Sequence, residues 1–252
     1  MKQVSIITST TGRPELRRAI ESVRHQSYPH IQHFIAVDGP AHHEKARIIV
    51  KDHPGVDVLY LPYPTKQWGT RIHAALPHLS KGDYIEFLDD DNHIEPNHVE
   101  NMIRTIEDRP WAYSLRNLSL DGMFVAQDHC ESLGYLHPAW NTINTGQPQH
   151  HIDTGCFFLR RDVALELCCH WSPVEFDHPG YYINDRIFFA ALHARYPGAP
   201  GSPTIPVSLE HTFNYEIDRD VFNYFREGNR VMAARYNGRI PWLSASPARG
   251  LS

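Results

Sequence analysis

Residues 82–91 read Gly82-Asp83-Tyr84-Ile85-Glu86-Phe87-Leu88-Asp89-Asp90-Asp91, and Asn92 follows. Tyr84 to Leu88 is a short apolar run opened by the turn Lys81-Gly82-Asp83, which predicts a buried strand. The strand stops in three consecutive carboxylates. Three adjacent negative charges repel one another, and a strand end has no intrinsic need of them. A divalent cation would offset that repulsion, and Mg²⁺ or Mn²⁺ prefers carboxylate and phosphate oxygens. In an extended chain alternate residues point the same way, so Asp89 and Asp91 are expected on one face and Asp90 on the other. A solvated acidic turn capping the next helix is the competing reading.

Outward from this stretch, strand and helix signals alternate. Val4 to Thr8, Phe34 to Val37 and Val56 to Leu61 read as three earlier strands. Helices are expected after Pro14, over Ala41 to Lys51, and where Ile72, Ala75, Leu76 and Leu79 share a face. Pro96 opens another, with Val99, Met102, Ile103 and Ile106 on one side. Such alternation predicts an α/β fold with a mostly parallel sheet flanked by helices. Ligands of such sheets bind beyond the carboxyl ends of the strands. Thr8 to Arg13, Asp38-Gly39 and Asp89 to Asn92 are the polar strand ends.

The second half is less regular. Strands are expected at Ala112 to Leu118, Met123 to Val125 and Thr204 to Leu209, and Asp153 to Leu159 re-enters the core. Helices are expected at Arg161 to His170, around Asp185 to Leu192, and at Asp218 to Tyr236. The polar stretch Gln127 to His151 reads as a long functional loop, with its Tyr135 to His151 part on the acceptor side. No repeat, low-complexity tract or clean linker interrupts the 252 residues, so one domain is expected.

Composition narrows the function. Hydrophobic residues make up 41% and charged residues 21%, as in a globular chain. The net charge of −5 argues against nucleic-acid binding, which needs a basic footprint. No apolar run is long enough to span a membrane, and no signal peptide is read at the N-terminus. Cys130, Cys156, Cys168 and Cys169 form no Cys-x-x-Cys pair and are expected as free thiols in a reducing cytoplasm. No Gly-x-Gly-x-x-Gly or Walker-type loop follows the first strand, which disfavours dinucleotide oxidoreductases and P-loop NTPases.

The ordered motifs resemble a known family. Val4-Ser5-Ile6-Ile7-Thr8, the helix Ala19 to Tyr28, Val37-Asp38-Gly39 and Gly82 to Asp91 are similar to family 2 glycosyltransferases of the GT-A fold. Thr154-Gly155-Cys156-Phe157-Phe158-Leu159-Arg160-Arg161 resembles the family's central strand, and Asn184-Asp185-Arg186 its catalytic-base helix. The resemblance implies a Rossmann-like sheet, with residues 1–92 binding the nucleotide sugar. Residues 93–252 would bind the acceptor and carry a C-terminal helix or lid. It implies that Thr8, Thr10, Arg13, Asp38, Gly69, Arg71, Asp89, Asp90 and Asp153 bind the donor, with Asp91 the metal carboxylate and Asp185 the general base. His211 is a candidate for the metal shell, against an ordinary histidine after a strand. Arg226 and Arg230 are candidates to reach the phosphates.

Two departures stand out. Asn184-Asp185 replaces the family's common Glu-Asp, and Gln67-Trp68-Gly69 its Asn-x-Gly. No Gln-x-x-Arg-Trp motif is present, which argues against a processive synthase. The expected activity is metal-dependent (Mn²⁺ or Mg²⁺), inverting transfer from a nucleotide-diphosphate sugar, UDP-linked by the family's habit, to an acceptor the sequence does not name. A sugar nucleotidyltransferase and a catalytically inactive sugar-nucleotide-binding module are the alternatives.

Overall fold

The computed structural model describes residues 1–66, 69–128, 152–172, 184–197 and 207–236. The amino-terminal half runs β1 (Val4–Thr10), α1 (Leu16–Arg24), β2 (Ile31–Val37), α2 (His43–Val50), β3 (Asp57–Tyr60), α3 (Thr70–Ala75) and β4 (Tyr84–Phe87). Then come β5 (His93–Ile94), α4 (His98–Ile106), β6 (Trp111–Leu120), β7 (Met123–Gln127), β8 (Phe157–Arg160), α5 (Arg161–Leu167), α6 (Asn184–Arg195), β9 (Val207–Glu216) and α7 (Phe222–Tyr236). The strands form one sheet in the order β3-β2-β1-β4-β8-β6-β9-β5, with β7 on β6.

Helical crossovers make β3, β2, β1 and β4 mutually parallel. From β1 the chain builds outward to β2 and β3, then returns to place β4 on the other flank. That reversal at β1 opens a crevice at the strand ends, where ligands of α/β sheets sit. Beyond β4 the pairing is mixed: β8 runs antiparallel to β4 and β6, while β9 runs parallel to β6. The fold is the expected mixed α/β architecture with helices flanking the sheet.

The core explains why the site is stiff. Ile6, Ile7, Phe87, Leu88, Trp111, Phe157 and Phe158 are fully or almost fully buried in one cluster. Trp171 stacks on Phe188 of α6 with ring centroids 4.1 Å apart. Phe188 also meets Phe157 edge-on at 5.4 Å. These contacts fix α6 on the sheet and so the direction of Asp185 at its start. His73 of α3 is buried against Phe87 and Trp171.

Most expected elements are present, and three differ. The strand expected to end at Leu209 continues to Glu216. Its polar residues are satisfied internally: Thr212 bonds His98, and Asn214 bonds Asn117 and Glu95. The short strand β5 pairs with β9 and carried no sequence signal. The last turns of the helices at Leu76–His78 and Cys168–Trp171 tighten to 3-10 geometry. The loop expected at Gln127 to His151 lies almost wholly outside the described residues, as does Cys130; Cys156, Cys168 and Cys169 are unpaired. Among the described residues no helix is long and apolar enough to cross a membrane.

Candidate active site

A cleft of about 750 Å³ opens at the carboxyl ends of β1, β2 and β4. Asp89, Asp90 and Asp91 lie along it. β4 ends at Phe87 and the chain turns through the three aspartates, so the strand alternation expected for them does not apply. Thr10 donates to Asp90 Oδ2 at 2.6 Å and accepts from the Gly12 N–H at 2.9 Å. Arg13 Nη1 donates to Asp91 Oδ2 at 2.8 Å and lies 3.8 Å from Asp90. Asp90 and Asp91 therefore converge on Arg13, which corrects the expected pairing of Asp89 with Asp91.

All three carboxyls are driven upward from the usual aspartate range. For Asp89 the causes are burial first, then the charges of Asp91, Asp153, Asp90 and Asp185. Burial also raises Asp90, to about 6, against the hydrogen bond from Thr10. Asp91 is raised by burial, with Arg13 opposing. Burial is the leading cause in all three, with the neighbouring carboxylates adding to it.

One side of the cleft is built from the turn after β2 and the loop before α3. Asp38 follows β2 and accepts the Thr65 N–H at 2.5 Å. Gly69 sits at φ +77° ahead of α3, and a Cβ there would collide with the Ser9 side chain. A left-handed backbone pressed against β1 leaves room only for glycine. Arg71 is exposed and donates to the Thr65 carbonyl at 3.1 Å; it braces this loop and is not among the cleft-lining residues.

One expected residue falls elsewhere. Thr8 is fully buried, and its hydroxyl bonds His33 Nε2 at 3.0 Å, so it supports the loop from below rather than facing a ligand. His211 lies in β9 opposite Leu115 of β6, and its backbone carbonyl accepts from Asn117 Nδ2 at 2.9 Å.

Asp153 and Asp185 approach Asp89 from outside the main cleft lining, near enough for both charges to raise it. Asp153 caps the short 3-10 turn Thr154–Cys156 by accepting the Gly155 N–H at 3.0 Å. Asp185 Oδ1 accepts the Arg186 N–H at 2.8 Å. Asn184 donates to Thr70 Oγ1 at 2.8 Å and so ties the start of α6 to the start of α3. That bond gives a structural role to the residue that departs from Glu-Asp.

The sequence model described as Glycosyl transferase family 2 matches residues 5–167, from β1 to the end of α5. This chain belongs to glycosyl transferase family 2. No curated protein matches it. Among solved structures, S. aureus TarS superposes with a TM-score of 0.58 at 12% identity, covering 92% of this chain and 39% of that one. TarS 1-349 in complex with UDP-GlcNAc gives 0.57 at 13% identity, over 93% of this chain and 66% of that one. The complex with UDP gives 0.55 at 13%, over 92% and 65%. At such identities the likeness is one of fold. The chain spans well under half of the longer TarS chain and about two-thirds of the 1-349 fragment.

Within this family 2 domain, Asp185 and the end of β9 lie beyond the matched stretch. The structure brings them to the cleft region nonetheless. Arg18 of α1 donates from Nη2 to the Asp91 carbonyl at 2.7 Å and to Glu216 Oε2 at 2.9 Å. Glu216 also accepts the Gly122 N–H and the Ser119 hydroxyl. Arg219 lines the cleft and pairs with Asp121 across it. Sequence reading missed these residues, because Arg18 looks like a solvated helix position and Glu216 was placed outside any strand. Arg230 pairs with Glu227, and the Arg226 Cζ lies 6.0 Å from the centre of the Phe222 ring.

Among the described residues no three His, Cys, Asp or Glu side chains are grouped to hold a metal. The chemistry of the donor set still fits a hard divalent cation. Asp89 and Asp91 both line the cleft and offer carboxylate oxygens, the hard donors such an ion takes.

Proposed function

We propose that this chain transfers a sugar from a nucleotide-diphosphate sugar, UDP-linked, to an acceptor nucleophile with inversion at the anomeric carbon. The observation that carries the reading is the meeting of Asp153 and Asp185 with Asp89 beside a cleft that also holds Asp38, Thr10 and Arg13. TarS has been seen with UDP and with UDP-GlcNAc, which supports the choice of nucleotide. Asp38 and the Gly69 loop hold the nucleoside, and Arg13 faces the diphosphate. Asp91, with Asp89, would hold Mn²⁺ or Mg²⁺, which when bound neutralises charge gathering on the departing diphosphate. Asp185 accepts the acceptor's proton as that group attacks from the face opposite the leaving group. The unpaired Cys156, Cys168 and Cys169 support a reducing, cytoplasmic setting.

Calorimetry with UDP and a panel of UDP-sugars, with and without Mn²⁺, tests the reading. Metal-dependent affinity and release of UDP on turnover are expected. Equal affinity without metal would remove the metal from the scheme. Release of pyrophosphate in place of UDP would make the protein a nucleotidyltransferase.

A further inference from the structure

Arg116 lies in the middle of β6 with no exposure to solvent. A guanidinium stays charged at any physiological pH, so burying it demands partners. Its Nε donates to Asp128 Oδ2 at 2.7 Å, and Asp128 is itself fully buried. Its Nη1 lies 2.8 Å from Asp153 Oδ2, an ion pair made by charge and distance rather than by a directed hydrogen bond. Its Cζ sits 4.0 Å from the centre of the Tyr215 ring. These partners come from three places in the chain. Asp128 follows β7, Asp153 precedes β8, and Tyr215 is on β9 and lines the cleft. A side chain kept for stability alone could be an apolar one at equal or lower cost.

We propose that Arg116 is a positioning residue of the transfer site: it aims Asp153 at the sugar end of the donor and props Tyr215 at the cleft wall. The inference rests on the donor reading above and deepens it. With Nε held by Asp128, the rigid guanidinium plane fixes where the Nη1 charge stands beside Asp153, whereas a lysine ammonium on its flexible stem would not. The nucleotide end is held separately, by Thr10, Arg13 and Asp38, so the two ends of the donor can be tested apart.

The experiment compares UDP with UDP-GlcNAc, UDP-glucose and UDP-galactose by calorimetry in Mn²⁺, on the wild type, Arg116→Lys and Asp128→Asn. Arg116→Lys should leave UDP affinity within about twofold. It should weaken the best UDP-sugar by about tenfold, the scale on which small misplacements of a reactant are felt. In turnover, kcat should fall and the KM for the sugar nucleotide should rise. If Arg116→Lys does not fold, Asp128→Asn decides: it keeps both Arg116 and Asp153 and loosens only the anchor, and the sugar should weaken by about threefold on the same grounds. An unchanged ratio of UDP-sugar to UDP affinity overturns the role of Arg116 and leaves the donor reading standing. So does equal weakening of both ligands, which would make Arg116 a general support of the fold. A wild type that binds UDP but gains nothing from any sugar overturns the proposal too, since Asp153 would then have no sugar to meet. A wild type that does not bind UDP overturns the donor reading itself.

Discussion

His73 makes the protein acid-sensitive in a way that can be calculated. The ring is buried in α3 between Phe87 and Trp171, and burial alone lowers its pKa from 6.5 to about 4. The unfolded chain therefore takes up a proton between pH 6.5 and 4 that the native chain refuses. For a histidine depressed in this way, stability is complete above pH 6.5 and declines as pH falls towards 4. At about 1.4 kcal/mol per unit the full loss is about 3 kcal/mol, most of it already gone at pH 5. His73→Leu keeps the volume and removes the titration. Urea unfolding at pH 7.5 and pH 5 should show the wild type losing about 2 kcal/mol more than the variant across that interval. Equal pH dependence in the two proteins would refute the assignment. The consequence reaches the site, because His73 anchors the helix that begins at Gly69 and packs against the strand leading to Asp89.

Other expectations follow from the cleft. Asp185→Asn should cut transfer by ~10²–10⁴ while donor affinity, read by calorimetry, stays near the wild-type value; near-normal turnover would make Asp185 a helix cap only. Asp91→Ala should abolish the Mn²⁺-dependent part of UDP affinity without changing the unfolding cooperativity, and retained metal dependence would exclude Asp91 as a ligand. Gly69→Ala should destabilise by at least about 1–2 kcal/mol, the cost of a left-handed alanine, before the clash with Ser9 is counted; a neutral effect on thermal unfolding would mean that the loop relaxes. Thr10→Val removes one of the donors to buried Asp90 and leaves the Gly12 N–H without its acceptor, at about 1–3 kcal/mol in all. Unchanged stability in urea would show that water replaces the hydroxyl.

The nucleotide half was legible because its signals are local. Apolar runs mark β1, β2 and β4, and each ends in residues that a buried strand has no use for. The carboxylates, Asp38 and Gly69 could thus be placed on one edge from sequence alone. Their mutual geometry could not. Whether Asp91 faces Asp89 or Arg13 depends on the turn after Phe87, and periodicity carries no information about turns. The far half was obscured because its strands satisfy polar groups inside the fold. Glu86 meets His98, and Arg116 meets Asp128 and Asp153. A residue that looks solvated in sequence is buried in these pairs. Thr8 misled in the opposite sense: its position in the motif suggested a ligand, but the strand turns its hydroxyl inward to His33.

The pairing of β6 with β9 also sets the order in which the molecule can be assembled. Asn117 and Asn214, bonded across that pair, are 97 residues apart, and Asn92 receives the Glu216 N–H from 124 residues away. By contrast β1 finds β2 after only 25 to 27 residues. Loop closure over the longer spans must be met before any contact rewards it. As the chain leaves the ribosome, the β1–β2–β3 layer and its nucleotide loops can settle while β9 is still unsynthesised. The aspartate turn then waits for residues beyond 210 to lock it through Arg18 and Glu216. During translation the intermediate is half a cleft, with apolar β6 and β8 open to solvent, and that is the stage at which this protein is most exposed to aggregation.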